Sequence, residues 1–321
     1  SARAERVHDE WLKVCRSGGR LVSWLERRFD ADSGETDWHI RGPLKKDADL
    51  LREKTRENGL LLSRGAELNT APLNDLFLWF RNKLGVYDLS ERPFVLVQET
   101  AKRASQNDGF RGRVVKVLQD ADVGIQGIDF SERPLLGELD GLPEELSDIV
   151  TAIRKVVSDK GLTHLSVATV HRLRDSEKSV SFDLETDESK GTQRFFALGG
   201  RVLEVMEKGG TLILDEIDCS MHPLLVRKLI ELFQSPAANA KGAQLVFATH
   251  DSTLMDSALF RRDQVWLTEK NSAGATELFS LYDFDSARRP RLGEALAKNY
   301  LAGRYGGVPS FGPTFEDYEI K

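Results

Sequence analysis

The sequence predicts an α/β fold with a parallel-sheet core, an antiparallel N-terminal subdomain and a helical insertion between the two. Three observations predict it. Residues 1–40 alternate apolar and polar positions in short runs, clearest in Arg20-Leu-Val-Ser-Trp-Leu, which read as strands and turns. Residues 45–160 carry apolar positions at helical spacing. Residues 162–302 alternate short apolar runs with amphipathic stretches, as parallel strands alternating with helices do. The expected divisions are therefore 1–44, 45–160 and 161–321.

Within the middle division, Asp47-Ala-Asp-Leu-Leu-Arg-Glu-Lys-Thr-Arg and Leu73-Asn-Asp-Leu-Phe-Leu-Trp-Phe-Arg are amphipathic helices. Pro143 opens a third, because a first helical turn leaves its amide unpaired in any case. Val123-Gly-Ile-Gln-Gly-Ile-Asp-Phe reads as a strand between them. No heptad persists over several repeats, so a long coiled coil is excluded. Phe77, Trp79 and Phe80 are spaced for one helix face and are expected in the core rather than stacked on bases.

The last division follows in the same way. A helix is expected from about Lys190 through Phe195, Leu198 and Val202 to Lys208, then a strand at Leu212-Ile-Leu. A second helix spans 223–234, with Pro223 in its first turn, Ser220 as a nearby cap and Leu225, Leu229, Leu232 and Phe233 as its apolar stripe. His222 is open to a capping, packing or interface role. Strands at Gln244-Leu-Val-Phe, Gln264–Thr268 and Thr276–Tyr282 and a helix over Arg291–Leu301 complete the chain. His171, on a strand, is read as structural.

Composition narrows the function. The chain has 321 residues, ample for a large core, and a net charge of −6, which argues against a generally basic nucleic-acid-binding protein. Arg111, Arg113 and Lys116, Arg261-Arg262, and Arg288-Arg289 with Arg291 are local basic clusters that read as solvated faces or docking surfaces before DNA contacts. The two cysteines, Cys15 and Cys219, suggest neither a disulfide framework nor a zinc site. No signal peptide or long apolar run points to a membrane, so a cytoplasmic location is expected.

The chemistry concentrates in Thr211-Leu-Ile-Leu-Asp-Glu-Ile-Asp-Cys-Ser-Met-His. An apolar strand here delivers adjacent carboxylates, Asp215 and Glu216, to its end. Nucleotide hydrolysis needs such a pair, one to hold Mg²⁺ and one to orient or deprotonate water. Upstream, Glu188-Ser-Lys-Gly-Thr-Gln opens a helix, and a Ser, a Gly and helix N-terminal amides make an anion site. Downstream, Gln244-Leu-Val-Phe-Ala-Thr-His-Asp is a strand ending in His250. Each signal is weak singly; their order makes them strong together.

Residues 186–250 resemble the second half of an ABC-class ATPase head, as in SMC, RecF and OLD proteins. Asp-Glu-Ile-Asp followed by His222-Pro223 is similar to the soluble AAA-type ATPases of bacterial antiphage and abortive-infection systems, and not to transporter subunits. The resemblance implies that Asp215 holds Mg²⁺, that Glu216 is the catalytic base and that His250 touches the γ-phosphate of ATP. It implies that Ser189 and Gly191 contact ATP bound to an opposing subunit, with Asp218 at that interface. The signature reads Ser-Lys-Gly-Thr-Gln rather than Ser-Gly-Gly-Gln, and Lys190 can add a charge of its own. The implied partners are a second copy, joined as a homo-oligomer through the heads, and a separate effector such as a nuclease or toxin, possibly of TOPRIM type. The residues after His250 are too few for a fused TOPRIM nuclease.

A phosphate loop needs Gly-x-x-x-x-Gly-Lys-Ser/Thr, yet Gly-Lys occurs nowhere in these residues. Either the N-terminal segment carrying the loop precedes Ser1, which the intact carboxylates favour, or the protein is a pseudo-ATPase. The expected function is an ATP-driven switch serving as sensor or scaffold of a defence complex. A RecF- or SMC-like DNA-repair ATPase and a non-hydrolysing structural scaffold are the alternatives.

Overall fold

The computed structural model describes residues 2–3, 6–15, 19–89, 93–121, 124–134, 151, 163–173, 178–285, 290–291 and 293–309. The expected helix at Pro143 and the pair Arg288-Arg289 lie outside them. The chain forms two compact units, Ser1–Gly85 and Val86–Lys321.

In the first unit, strands β1 (Asp9–Cys15), β2 (Leu21–Phe29) and β3 (Thr36–Ile40) form an antiparallel sheet in sequence order. The alternation read from residues 1–40 is the period-2 pattern of a sheet with one face buried. Three helices follow: α1 (Ala48–Lys54), α2 (Leu61–Glu67) and α3 (Leu73–Lys83). Leu25, Ile40, Leu44, Leu51, Leu61 and Leu73 make the core. Arg27 is buried within this unit and donates to the carbonyls of Arg56, Glu57 and Gly59 at 3.2, 3.0 and 2.8 Å. Its charge is met by Glu10 at 3.6 Å, and Glu10 in turn accepts the Leu61 amide at 2.8 Å, anchoring the start of α2. Trp79 and Phe80 are not in this core as expected. Both are exposed and stack edge-on against each other at 5.3 Å, because the buried stripe of α3 runs through Leu73 instead.

The second unit is built on α6 (Lys190–Lys208), the most deeply buried helix. Around it lie α4 (Pro93–Gln106), α5 (Asp108–Asp120), β4 (Leu84–Asp88, mostly in this unit), and an antiparallel sheet of β5 (Ile125–Pro134), β6 (Thr163–Arg172) and β7 (Ser179–Asp183). Phe195, Phe196, Leu198 and Val202 are almost wholly buried, each contributing about 1.5–3 kcal/mol. Contact is close where α4 crosses α6: a Cβ on Gly200 would lie 2.3 Å from Thr100. Glu207 pairs with both Arg103 of α4 and Arg113 of α5, tying three helices together. Gly209 ends α6 with φ +59, a left-handed cap that glycine adopts without Cβ strain.

After α6, β8 (Thr211–Asp215), α7 (Pro223–Gln234) and β9 (Gln244–Phe247) form the β-α-β unit expected of a parallel core, with Thr211 opposite Gln244 and Leu214 opposite Phe247. The sheet order is β9-β8-β4. α7 buries Val226, Leu229 and Ile230, with Leu225, Leu232 and Phe233 half-buried beside them. Parallel pairing does not extend through 162–302. β6 and β7 pair antiparallel, as do β10 (Trp266–Lys270) and β11 (Thr276–Ser280). Their connections, 173–178 and 271–275, are too short for the crossover that parallel strands require. A short helix, α8 (Leu296–Leu301), replaces the longer Arg291–Leu301 prediction.

Candidate active site

Strand β8 runs through buried Leu212 and Leu214 and emerges at Asp215, which is exposed. The backbone then turns sharply. Glu216 has φ +50 and Ser220 φ +56, left-handed values that cost a side-chain-bearing residue of order 1–3 kcal/mol. The turn is held from inside: the Glu216 amide donates to Asp215 Oδ1 at 3.1 Å, the Ile217 amide to the Ala248 carbonyl at 3.1 Å, and the Met221 amide to the Asp218 carbonyl at 3.1 Å. Ile217, wholly buried, is the peg that fixes the turn in the core. Sequence reasoning chose Ser220 as the cap of α7. The cap is His222, whose Nδ1 accepts the Leu224 amide at 3.2 Å, while Ser220 sits in the preceding turn at φ +56.

The second element is the start of α6. Ser189 is its N-cap, with Oγ accepting the Thr192 amide at 3.1 Å and lying 2.8 Å from Thr192 Oγ1. Gln193, nearly buried, donates to the carbonyls of Glu185 and Glu188 at 2.9 and 3.1 Å, and Lys190 reaches its Oε1 at 3.5 Å. Gly191 packs directly on the carboxylate turn. A Cβ there would lie 2.8 Å from the Ser220 carbonyl oxygen, so only glycine fits without displacement.

The third element follows β9. Thr249 Oγ1 donates to Asp218 Oδ1 at 2.6 Å and accepts the Asp251 amide at 3.0 Å. One hydroxyl thus ties the Asp218 turn to the loop bearing His250, which is exposed. Asp251 Oδ1 accepts the Thr253 amide at 2.9 Å, while its Oδ2 is buried without a hydrogen-bond partner among the described residues. A buried oxygen of that kind calls for a water, ion or ligand.

The start of α6 with Ser189 and Gly191, the end of β8 and its turn with Asp215, Glu216 and Asp218, and the loop with His250 therefore adjoin through the Gly191–Ser220 and Thr249–Asp218 contacts. Thr249 was missed; its only signal in the sequence is a hydroxyl immediately before the histidine. The hard oxygen of Asp215 suits Mg²⁺, and a helix N-terminus suits phosphate. Among the described residues no group of three His, Cys, Asp or Glu side chains is placed to hold a metal ion.

Beneath α6, burial raises the Asp183 carboxyl, but the Glu185 amide, the Ser166 hydroxyl, the Thr186 amide and Arg133 outweigh it and hold the group below its ordinary value of 3.8. Arg133 lies 2.8 Å away and Ser166 3.0 Å. Four of the basic residues are ion-paired, and Arg262 donates to the Pro290 carbonyl at 2.7 Å. Arg111 binds Asp129, Arg113 binds Glu207, Lys116 binds Asp120, and Arg261 binds Asp263.

A family model described as "AAA domain, putative AbiEii toxin, Type IV TA system" matches residues 6–256. The chain belongs to this family of AAA domains. The match supports a nucleotide-binding domain of the AAA ATPase type, and the carboxylate turn lies within the matched region. No curated protein matches the chain. Among solved structures it is similar to an SMC head bound to the C-terminal winged-helix domain of ScpA. The identity is 13%, with 80% of this chain and 67% of that chain covered and a TM-score of 0.35. Among the described residues no helix is long and apolar enough to cross a membrane.

Proposed function

We propose that this AAA-family protein binds ATP with Mg²⁺ between two copies of its head and uses binding and hydrolysis to switch their association. The observation that carries the reading is the packing of Gly191 on the Ser220 carbonyl, which ties the Ser189 helix start to the Asp215-Glu216 turn. Bound Mg²⁺ supplies charge neutralisation for the phosphates. Asp215 holds it, Glu216 accepts the proton of the attacking water, and His250 meets the γ-phosphate edge. Ser189, Lys190 and Gly191 present donors to the nucleotide of the opposing copy, and Asp218 lies at the seam. Site sharing links occupancy to association, because a nucleotide that bridges two copies stabilises their contact.

The biological role that fits is a sensor or scaffold of a defence system that restrains a separate toxic effector. The family description, which names a toxin and a type IV toxin–antitoxin system, supports that setting. A repair ATPase would need a free basic face, and the ion pairing of Arg111, Arg113, Lys116 and Arg261 gives that reading no support. The test is ATP turnover by the protein made from its complete reading frame, with and without Glu216→Gln. The substitution is expected to retain ATP binding and lower turnover by about 10²–10⁴. Unchanged turnover removes Glu216 from the role of base.

A further inference from the structure

Glu188 immediately precedes the N-cap Ser189, and its side chain is about 12% exposed. Two donors meet on one of its oxygens: Thr169 Oγ1 and His171 Nε2, each 2.6 Å from Oε1. Because the acceptor is a carboxylate oxygen, Nε2 carries the ring proton. The imidazole is locked by an edge-on contact with Phe182 at 5.2 Å, and Thr169 is wholly buried. Thr169 Oγ1 also lies 3.2 Å from the Phe182 carbonyl, but its single proton belongs to the shorter contact. The Glu188 main chain is pinned too, its amide to the Asp183 carbonyl at 3.3 Å and its carbonyl to Gln193 at 3.1 Å.

This is an expensive way to hold a helix start. The residue before an N-cap is commonly apolar and fixes the chain's entry by simple packing. A polar network in its place gains little stability over an apolar contact, but it admits one geometry. We infer that His171 and Thr169 are positioning residues: through Glu188 they set the register of the Ser189–Gly191 turn against the phosphate of an opposing copy. The inference rests on the proposed shared nucleotide site. It predicts that the β6 side chains govern association while leaving each copy's own nucleotide affinity alone.

The experiment uses the complete protein carrying Glu216→Gln, in which association is expected to persist. The ATP concentration for half-maximal association is measured alone and with His171→Ala, Thr169→Val or His171→Gln added. Nucleotide affinity is measured separately at protein concentrations too low for association. His171→Ala and Thr169→Val are each expected to raise the required ATP about tenfold, the worth of one charge-assisted hydrogen bond. Affinity in the dilute protein stays unchanged, and His171→Gln, which keeps an N–H donor, recovers most of the loss. Association of both variants at the parental ATP concentration overturns the inference alone, as does an equal loss of dilute affinity. A parental protein that never associates with ATP overturns the shared-site reading and the inference with it.

Discussion

Replacing Gly191 by alanine tests the packing on which the site is built. The added methyl carbon would stand 2.8 Å from the Ser220 carbonyl oxygen, whereas ordinary contact begins near 3.4 Å, so about 0.6 Å must be found. The obstacle is backbone, not a flexible side chain. It sits in a turn held by the Ile217 amide on Ala248 and the Met221 amide on Asp218, and by Thr249 on the Asp218 side chain. Overpacking of this kind costs about 1–3 kcal/mol, and the helical advantage of alanine over glycine returns about 0.5–1 kcal/mol. With overpacking near the middle of its range the net loss is about 1–1.5 kcal/mol, which lowers the melting temperature by roughly 2–6 °C for a unit of this size. Gly112 supplies the control: it is exposed within α5 with nothing within 4 Å of its missing Cβ, so Gly112→Ala is expected to raise the melting temperature. The assay is thermal unfolding of both variants beside the parent. A Gly191→Ala protein that melts at or above the parent, with Gly112→Ala behaving as stated, refutes the close packing of α6 on the carboxylate turn.

Three further outcomes follow from the packing and charges. Arg27→Leu leaves Glu10 buried without its charge partner and three carbonyls without a donor, and should destabilise the first unit by about 3–5 kcal/mol in denaturant titration; a loss below ~1 kcal/mol contradicts that account. Gly200→Ala should cost ~2 kcal/mol or more by driving a methyl into Thr100, and adding Thr100→Ala should recover ~1 kcal/mol, so strict additivity of the two would argue against the α4–α6 crossing. Asp183 titrates below its ordinary 3.8 in the folded protein, so its contribution is full above that pH and is lost as pH falls through the lower folded-state value. The stability gap between parent and Asp183→Asn should therefore narrow as the pH falls below 3.8, and a gap that widens with acid would contradict the assignment.

The sequence carried the α/β class and the β8-α7-β9 unit because each buried stretch there is long enough for its period to show, and because Pro223 and Gly209 punctuate the ends. The Lys190–Lys208 helix was legible for the same reason, and its Ser189 cap follows from Ser-Lys-Gly-Thr at its start. Pairing direction was less so. Residues 162–302 read as a parallel core throughout, whereas Thr163–Arg172 and Ser179–Asp183 pair as an antiparallel hairpin across a link too short for a crossover. The α3 aromatics misled because helical spacing identifies a face without saying which side is covered; Leu73 took the core position and left Trp79 and Phe80 exposed. In the site, the residue types of Asp215, Glu216 and His250 were readable, but what joins their loops was not. The Thr249 bridge and the Glu188 cluster unite residues distant in sequence, and a lone hydroxyl or a strand histidine gives no sign of its partner.

We propose that ATP joins two copies of this head and that Glu216 ends the association. The most direct measurement is the solution mass, by light scattering, of the complete Glu216→Gln protein with and without Mg²⁺ and ATP. The expected mass doubles with ATP and reverts when the nucleotide is removed, while the parent doubles only transiently as it turns over. A mass indifferent to ATP in both proteins would contradict it.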